Sequence, residues 1–464
     1  MRSSALRYLA SLSLAWLASA ADAQIAVRNQ GYVPFSDAPI NYRSSDLHDP
    51  VSRLQQQLES GQAKLIYEPD HGYLRSVLQL LQIPVDSQTL VFSKTSFQYP
   101  KISPEHPRAL YFNDDVYVGS VHEGKAIEIV SFDPMQGAIF FLLDENKVER
   151  PAFQRAELDC TQCHIAAGTR GIPGVLLRSV YPTSTGTLVT GTRSFITDQE
   201  SPWSERWGGW YVTGDLAGGT HMGNATVEWP PGATDGPGAP MAPSAPNPVP
   251  QPADTSSALR SFPPAFSPST YLSPGSDVVA HLVLAHQTQM HNLITLTNYK
   301  TRLALYSHAS PSQYQRPAEQ LLRYLLFSNE APLPGDGQQT VGASSAFARE
   351  FAARGPRDNQ GRSLRDFDLR TRIFRYPCSY LIYSESFDAL PDPAREYVYH
   401  RLLEVLSGQD SSPDFARLSA ADRQAVLEIL LGTKTHLPQE WRDYATSHHL
   451  QVAAAPGSST SHTR

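Results

Sequence analysis

The chain is poor in cysteine and modest in charge, and it has no long apolar run beyond its first twenty residues. Three cysteines in 464 residues cannot staple a chain of this size, so a disulfide scaffold is excluded. The odd count leaves at least one thiol for work other than pairing. Charged residues make up 18% of the chain and the net charge is −7. A phosphate-binding surface needs an excess of Lys and Arg, so nucleic acid is not an expected partner. No later stretch reaches the ~18 apolar residues that span a bilayer. There is no H-E-x-x-H, no G-x-S-x-G, no phosphate-binding loop and no calcium-loop pattern, which sets aside the common metalloprotease, hydrolase and nucleotide-binding signatures. No internal repeat is visible.

What is present begins with an address. Arg2 and Arg7 precede an apolar stretch from Leu9 to Leu17, and Ala21-Asp22-Ala23 supplies small residues at a cleavage point. Residues 1–23 therefore read as a signal peptide, with the mature chain starting at Gln24. No cysteine follows the apolar stretch, which argues against a lipid anchor. The expected location is periplasmic or secreted.

The remainder reads as an α+β protein with no membrane span. Residues 24–155 form an N-terminal α+β region. Helix starts at Asp49-Pro50 and near Leu74 are followed by five strand-like runs, 89–92, 109–112, 116–118, 126–130 and 138–142, which suggest an antiparallel sheet. Residues 156–228 are rich in turns, with short strand signals at 175–177, 187–190 and 210–213. Residues 229–268 hold a proline-rich linker or loop. Residues 269–451 turn mainly helical, with helices expected from Ser276-Asp277 to about Tyr299 and over 317–327, 393–406 and 420–431. The last is expected to be capped by Ser419 and closed by Gly432. Residues 452–464 read as a disordered tail.

The chemistry concentrates in Cys160-Thr161-Gln162-Cys163-His164. C-x-x-C-H is the spacing of covalent haem attachment. Two thiols two residues apart can add across the two vinyl groups of one porphyrin edge, and the adjacent imidazole can reach the iron. A redox-active disulfide would call for a thioredoxin-like strand–turn–helix around the pair. Zinc needs a second close ligand pair, and Cys378 stands alone.

The segment resembles the c-type cytochrome attachment motif, matched by Cys160, Cys163 and His164. Longer phrases, Ser204-Glu-Arg-Trp-Gly-Gly-Trp-Tyr-Val-Thr-Gly214 and Cys378-Ser-Tyr-Leu-Ile-Tyr383, are similar to large exported single-haem proteins. The resemblance implies one covalent haem c, with His164 as an axial iron ligand. It carries no substrate. The strand and turn signals after His164 depart from the helices of small cytochromes c, so the haem chemistry transfers and that fold does not.

The far side of the iron decides the activity. Met222, in the Gly-rich stretch 218–223, is the first candidate sixth ligand, with His221 and His286 as alternatives. His281, Met290 and His291 share the helix of His286 but only Met290 shares its face. His122 and Cys378 are weaker choices. Arg178 and Arg206, with Arg170 and Arg193 nearby, could hold haem propionates. Trp203, Trp207 and Trp210 could wall an apolar pocket or simply fill the core. The leading expectation is an exported electron-transfer protein cycling Fe(III)/Fe(II) with a redox partner protein. The alternative is a single-haem oxidoreductase or small-molecule sensor with an open sixth iron position.

Overall fold

A computed structural model describes residues 33–227, 259–261, 264–335 and 337–452. The signal peptide, most of the proline-rich stretch and all but the first residue of the expected tail lie outside these residues. The chain is α+β, as its patterning indicates.

Helices α1 (Pro50–Glu59) and α2 (Leu74–Leu80) come first. Asp49 caps α1 by accepting from the backbone of Val51 and Ser52, and Pro50 opens it at a position where a missing N–H costs nothing. Then come strands β1 (Thr89–Val91), β2 (Arg108–Phe112), β3 (Val116–Ser120), β4 (Ala126–Asp133), β5 (Gly137–Asp144) and β6 (Phe153–Arg155). Helix α3 (Glu157–His164) follows. After it come the short strands β7 (Arg178–Ser179), β8 (Phe195–Ile196), β9 (Trp210–Tyr211), β10 (Ala225–Val227) and β11 (Leu259–Ser261). The remaining helices are α4 (Val278–Tyr306), α5 (Ser312–Leu325), α6 (Ala346–Ala353), α7 (Glu385–Asp388), α8 (Asp392–Leu406), α9 (Ala420–Thr433) and α10 (Gln439–Ser447).

The main sheet is seven-stranded and runs β6-β5-β4-β3-β2-β1-β9. All its pairs are antiparallel. Alternation sends the two sets of side chains to opposite faces. Ala109, Tyr111, Val118, Ile127, Ile129 and Phe141 pack with α1 and α2. Phe112, Tyr117, Phe132 and Phe140 pack with α4 and the helices beyond it. The five strand signals before residue 145 are found as β1–β5. Of the three later ones, 210–213 is β9, whereas 175–177 and 187–190 are irregular, so paired backbone here is shorter than β-propensity suggests.

Helix α4 organises the rest. It is 29 residues long, begins at the Asp277 cap, and buries residues on every side. Its buried polar side chains reach out to hold loops. Gln287 Nε2 donates to the Asn113 carbonyl at 2.7 Å, and His291 Nε2 donates to that of Asp114 at 2.7 Å. The helix runs seven residues past the expected end, because Tyr299 and Ala304 still find core. Pro317 lies inside α5 rather than at its start. Gly432 lies within α9, whose C-cap is Lys434, so it does not close that helix as expected. The Ser419 cap is present, as a reciprocal box with Asp422.

Buried titrating groups set an expected pH response. Burial pushes His281 and His286 down to about 3, and His221 and His291 down to about 4. Each folded value lies below the unfolded ~6.5, so stability falls as pH drops through that window, by about 1.4 kcal/mol per pH unit per histidine. Burial raises Asp115, Glu145 and Glu330 to about 7. These three act oppositely, gaining stability as pH falls from about 7 to about 4. Four histidines against three carboxyls nearly cancel. Urea titrations should show a loss of about 3 kcal/mol or less between pH 6.5 and 4.5, then a steep fall below about pH 4, where the carboxyl gain is exhausted. A steep, steady decline from pH 6.5 would contradict these burial assignments.

Candidate functional site

Cys160, Cys163 and His164 sit on the last two turns of α3. At 3.6 residues per turn, positions i, i+3 and i+4 share one face, so both thiols and the imidazole lie on the same side of the helix. None of the helix's own residues is fully buried. With no apolar face to anchor it, α3 is held at its two ends. At the first, Arg43 Nε bonds Glu157 Oε1 at 2.9 Å, and the backbone of Ala156 donates to the Phe140 carbonyl. At the other, His164 locks onto the loop that follows.

That lock has two bonds. The Gly174 N–H donates to the His164 carbonyl at 3.0 Å. His164 Nδ1 lies 2.8 Å from the Gly174 carbonyl oxygen, which can only accept, so the proton is on Nδ1. Burial lowers the pKa of His164, and the field of Arg108 adds to this, outweighing the Gly174 bond and Glu128. The ring is therefore neutral at pH 7, with its lone pair on Nε2. No hydrogen bond to Nε2 is found among the described residues. The ring leans on Phe140 of β5, with centroids 4.9 Å apart. A neutral imidazole whose other nitrogen donates to a carbonyl is the form in which histidine binds a metal.

Helix α4 fixes the loop from outside. Asn292 Nδ2 donates to the Val175 carbonyl at 2.7 Å, and its Oδ1 accepts from Val175 N at 3.1 Å. Gln289 Nε2 donates to the Gly168 carbonyl at 2.9 Å. Glycine at 174 makes room for the amide, because a Cβ there would lie 2.3 Å from Asn292 Oδ1 and would push it aside.

The thiols are free. Cys163 is exposed and Cys160 half-buried. Burial, then the charges of Glu128 and Asp159, push Cys160 up to about 11. A redox-active pair needs a depressed thiol, so this environment opposes disulfide chemistry. Among the described residues, no group of three or more His, Cys, Asp or Glu side chains could hold a metal ion. Zinc is therefore a poor match for the donor set. A haem asks for less: two thiols and one imidazole on one face, with Nε2 available. Those residues fit.

The other candidates are dispersed. Met222 is buried in a small cluster with Tyr181, Val189 and Val227, and its sulfur accepts from Ser179 Oγ at 3.6 Å. Gly208 gives it room, since a Cβ there would meet Met222 Cε at 2.9 Å. His221 Nδ1 accepts from Gly223 N at 2.9 Å, which puts the proton of the neutral ring on Nε2 and leaves that nitrogen without a lone pair to offer. His286 commits both nitrogens, to Gln199 Oε1 at 2.6 Å and Ser379 Oγ at 2.7 Å. His281 Nε2 bonds Ser276 Oγ and the Tyr211 carbonyl. Met290 and Cys378 are core residues.

Arg178 is exposed, 3.4 Å from Ser194 Oγ. Arg206 is buried over the rings of Trp203 and Trp207; its Nε and Nη2 donate to the carbonyls of Ser201 and Gln199, and its Nη1 has no partner among the described residues. Trp203, Trp207 and Trp210 all belong to the core. His122 lines a cavity of about 500 Å³ with Tyr111 and Glu145. Tyr111 belongs to the face of the sheet opposite Phe140.

Three supporting residues escape sequence reading: Gly174, Gln289 and Asn292. Gln289 and Asn292 are only two of many polar residues along α4, and Gly174 is one glycine among several in a turn-rich stretch. No protein-family model, curated protein or solved structure matches the chain. Among the described residues no helix is long and apolar enough to cross a membrane.

Proposed function

We propose that the chain is an exported protein carrying one covalent haem c and serving electron transfer with a redox partner protein. The observation that carries this reading is the tethered, neutral His164 beside two free thiols on one helical face. Cys160 and Cys163 would hold the group through thioether bonds, and His164 through Nε2. Bound there, the haem supplies a one-electron Fe(III)/Fe(II) couple. The chain's own part is orientation. Gly174 fixes the imidazole tautomer and strengthens its donation, while Gln289 and Asn292 keep Gly174 in place. Phe140 shields one side of the ring.

The deciding experiment is intact mass spectrometry of exported protein made with a haem-attachment system. A mass heavier than the peptide by one haem supports the reading, and the bare peptide mass refutes it.

A second reading has its own support. His286 spends both ring nitrogens and His221 presents the wrong tautomer, which favours an open sixth position, as in a single-haem oxidoreductase or small-molecule sensor. Replacing Met222 by alanine separates the two. The cavity should cost about 2–5 kcal/mol of stability in urea unfolding. A ferric spectrum that turns from low to high spin makes Met222 the ligand; an unchanged spectrum with bound CO or cyanide in the parent protein supports the open position.

A further inference from the structure

One charged pair stands on the sheet face that carries Phe140, next to the attachment helix. Arg108 of β2 and Glu128 of β4 flank Gly119 of β3, which pairs with Leu110 on one side and Glu128 on the other. A Cβ at position 119 would lie 2.5 Å from Arg108 Nη2 and 2.8 Å from Nε, so the guanidinium occupies the space the glycine leaves. Glu128 Oε2 forms an ion pair with Nη2, while its Oε1 accepts from Ser96 Oγ at 2.6 Å and Gln98 Nε2 at 2.9 Å. Arg108 Nε is buried and has no hydrogen-bond partner among the described residues. Glu128 lies two residues along β4 from Val130, the partner of Phe140 on whose ring His164 leans, which places the pair beside the motif.

A guanidinium has five donors in a rigid fork, shaped for a carboxylate. Here one carboxylate engages Nη2, and a buried Nε is left over. A buried polar group of this kind calls for an acceptor. The porphyrin that Cys160 and Cys163 would hold brings two carboxylates of its own. We propose that Arg108 receives a haem propionate, with Glu128 and Gly119 as positioning residues. This rests on the haem reading above. Arg178 is solvent-facing; Arg170 Nε and Arg206 Nη1 are also buried and without a partner among the described residues, but neither residue belongs to a strand of the sheet face that carries Phe140.

The test uses exported holoprotein, with Arg108→Gln, Arg108→Lys and the double variant Arg108→Gln/Glu128→Gln. The double variant leaves no unpaired buried charge and carries the test if the single one fails to fold. Intact mass should show covalent haem in all of them. The propionate bending bands in resonance Raman should shift in each variant, because lysine keeps the charge and loses the fork. Arg108→Gln should disfavour the ferrous form about tenfold at fixed solution potential, a fall of about 59 mV for one electron. Unchanged propionate bands and potential in Arg108→Gln and in the double variant, with haem present, would overturn the assignment to Arg108 alone. Parent protein lacking haem would overturn the attachment reading itself, and this inference with it.

Discussion

Exported Cys160→Ala/Cys163→Ala protein is expected to hold no haem that survives denaturation, and yet to fold. The two halves of this expectation have separate causes. On the proposed haem reading attachment would use both sulfurs, and the remaining thiol, on Cys378, is fully buried and far from the motif in sequence, with burial holding it in its protonated form. Folding needs neither sulfur. Cys163 is exposed and Cys160 lies at the margin of the core, so losing them should cost about 1 kcal/mol. Intact mass and haem staining after denaturing electrophoresis read the first half; urea unfolding against apo parent protein reads the second. A haem adduct persisting in the double variant would place attachment elsewhere in the chain.

Asn292→Leu is expected to do the reverse, leaving the motif chemically intact while weakening what holds it. The substitution keeps the side-chain volume but removes both bonds to Val175. Two buried backbone groups then lose their partners, at about 1–3 kcal/mol each, for a loss of about 2–6 kcal/mol in urea unfolding. The Gly174 amide should lose hydrogen-exchange protection, because the loop bearing it is freed on one side. Gln289→Leu, which removes one bond to Gly168, should cost about 1 kcal/mol. If Asn292→Leu unfolds within 1 kcal/mol of the parent, the spine role of α4 is wrong.

The fold was more legible than the site because it rests on repetition. Strands β1–β5 announce themselves by clustered β-branched and aromatic residues between turn residues such as Asn113-Asp114-Asp115 and Glu123-Gly124. Helices α1, α4, α8 and α9 show apolar spacing or end caps. The motif was legible as chemistry, but the helix beneath it was not. Glu157–His164 has no apolar stripe, and its ends are held by Arg43 and Gly174, partners 114 and 10 residues distant. Nor could sequence rank the arginines. Arg108 reads as an ordinary strand residue until Gly119 is seen beneath its guanidinium. Arg206 looks available until its burial and the carbonyl partners of its Nε and Nη2 are seen.

The chain leaves the sheet at β6, passes through α3, and rejoins at the opposite margin as β9. Six strand spacings separate those margins, roughly 29 Å. The seam between β1 and β9 joins Leu90 to Tyr211, roughly 120 residues apart, a separation whose closure entropy makes it a late contact in folding. Until that seam forms, the strap bearing Cys160 and Cys163 is tied down at one margin only. On the proposed haem reading, machinery that stitches a porphyrin to two thiols would meet them on an open flap, before the last strand of the sheet is in place.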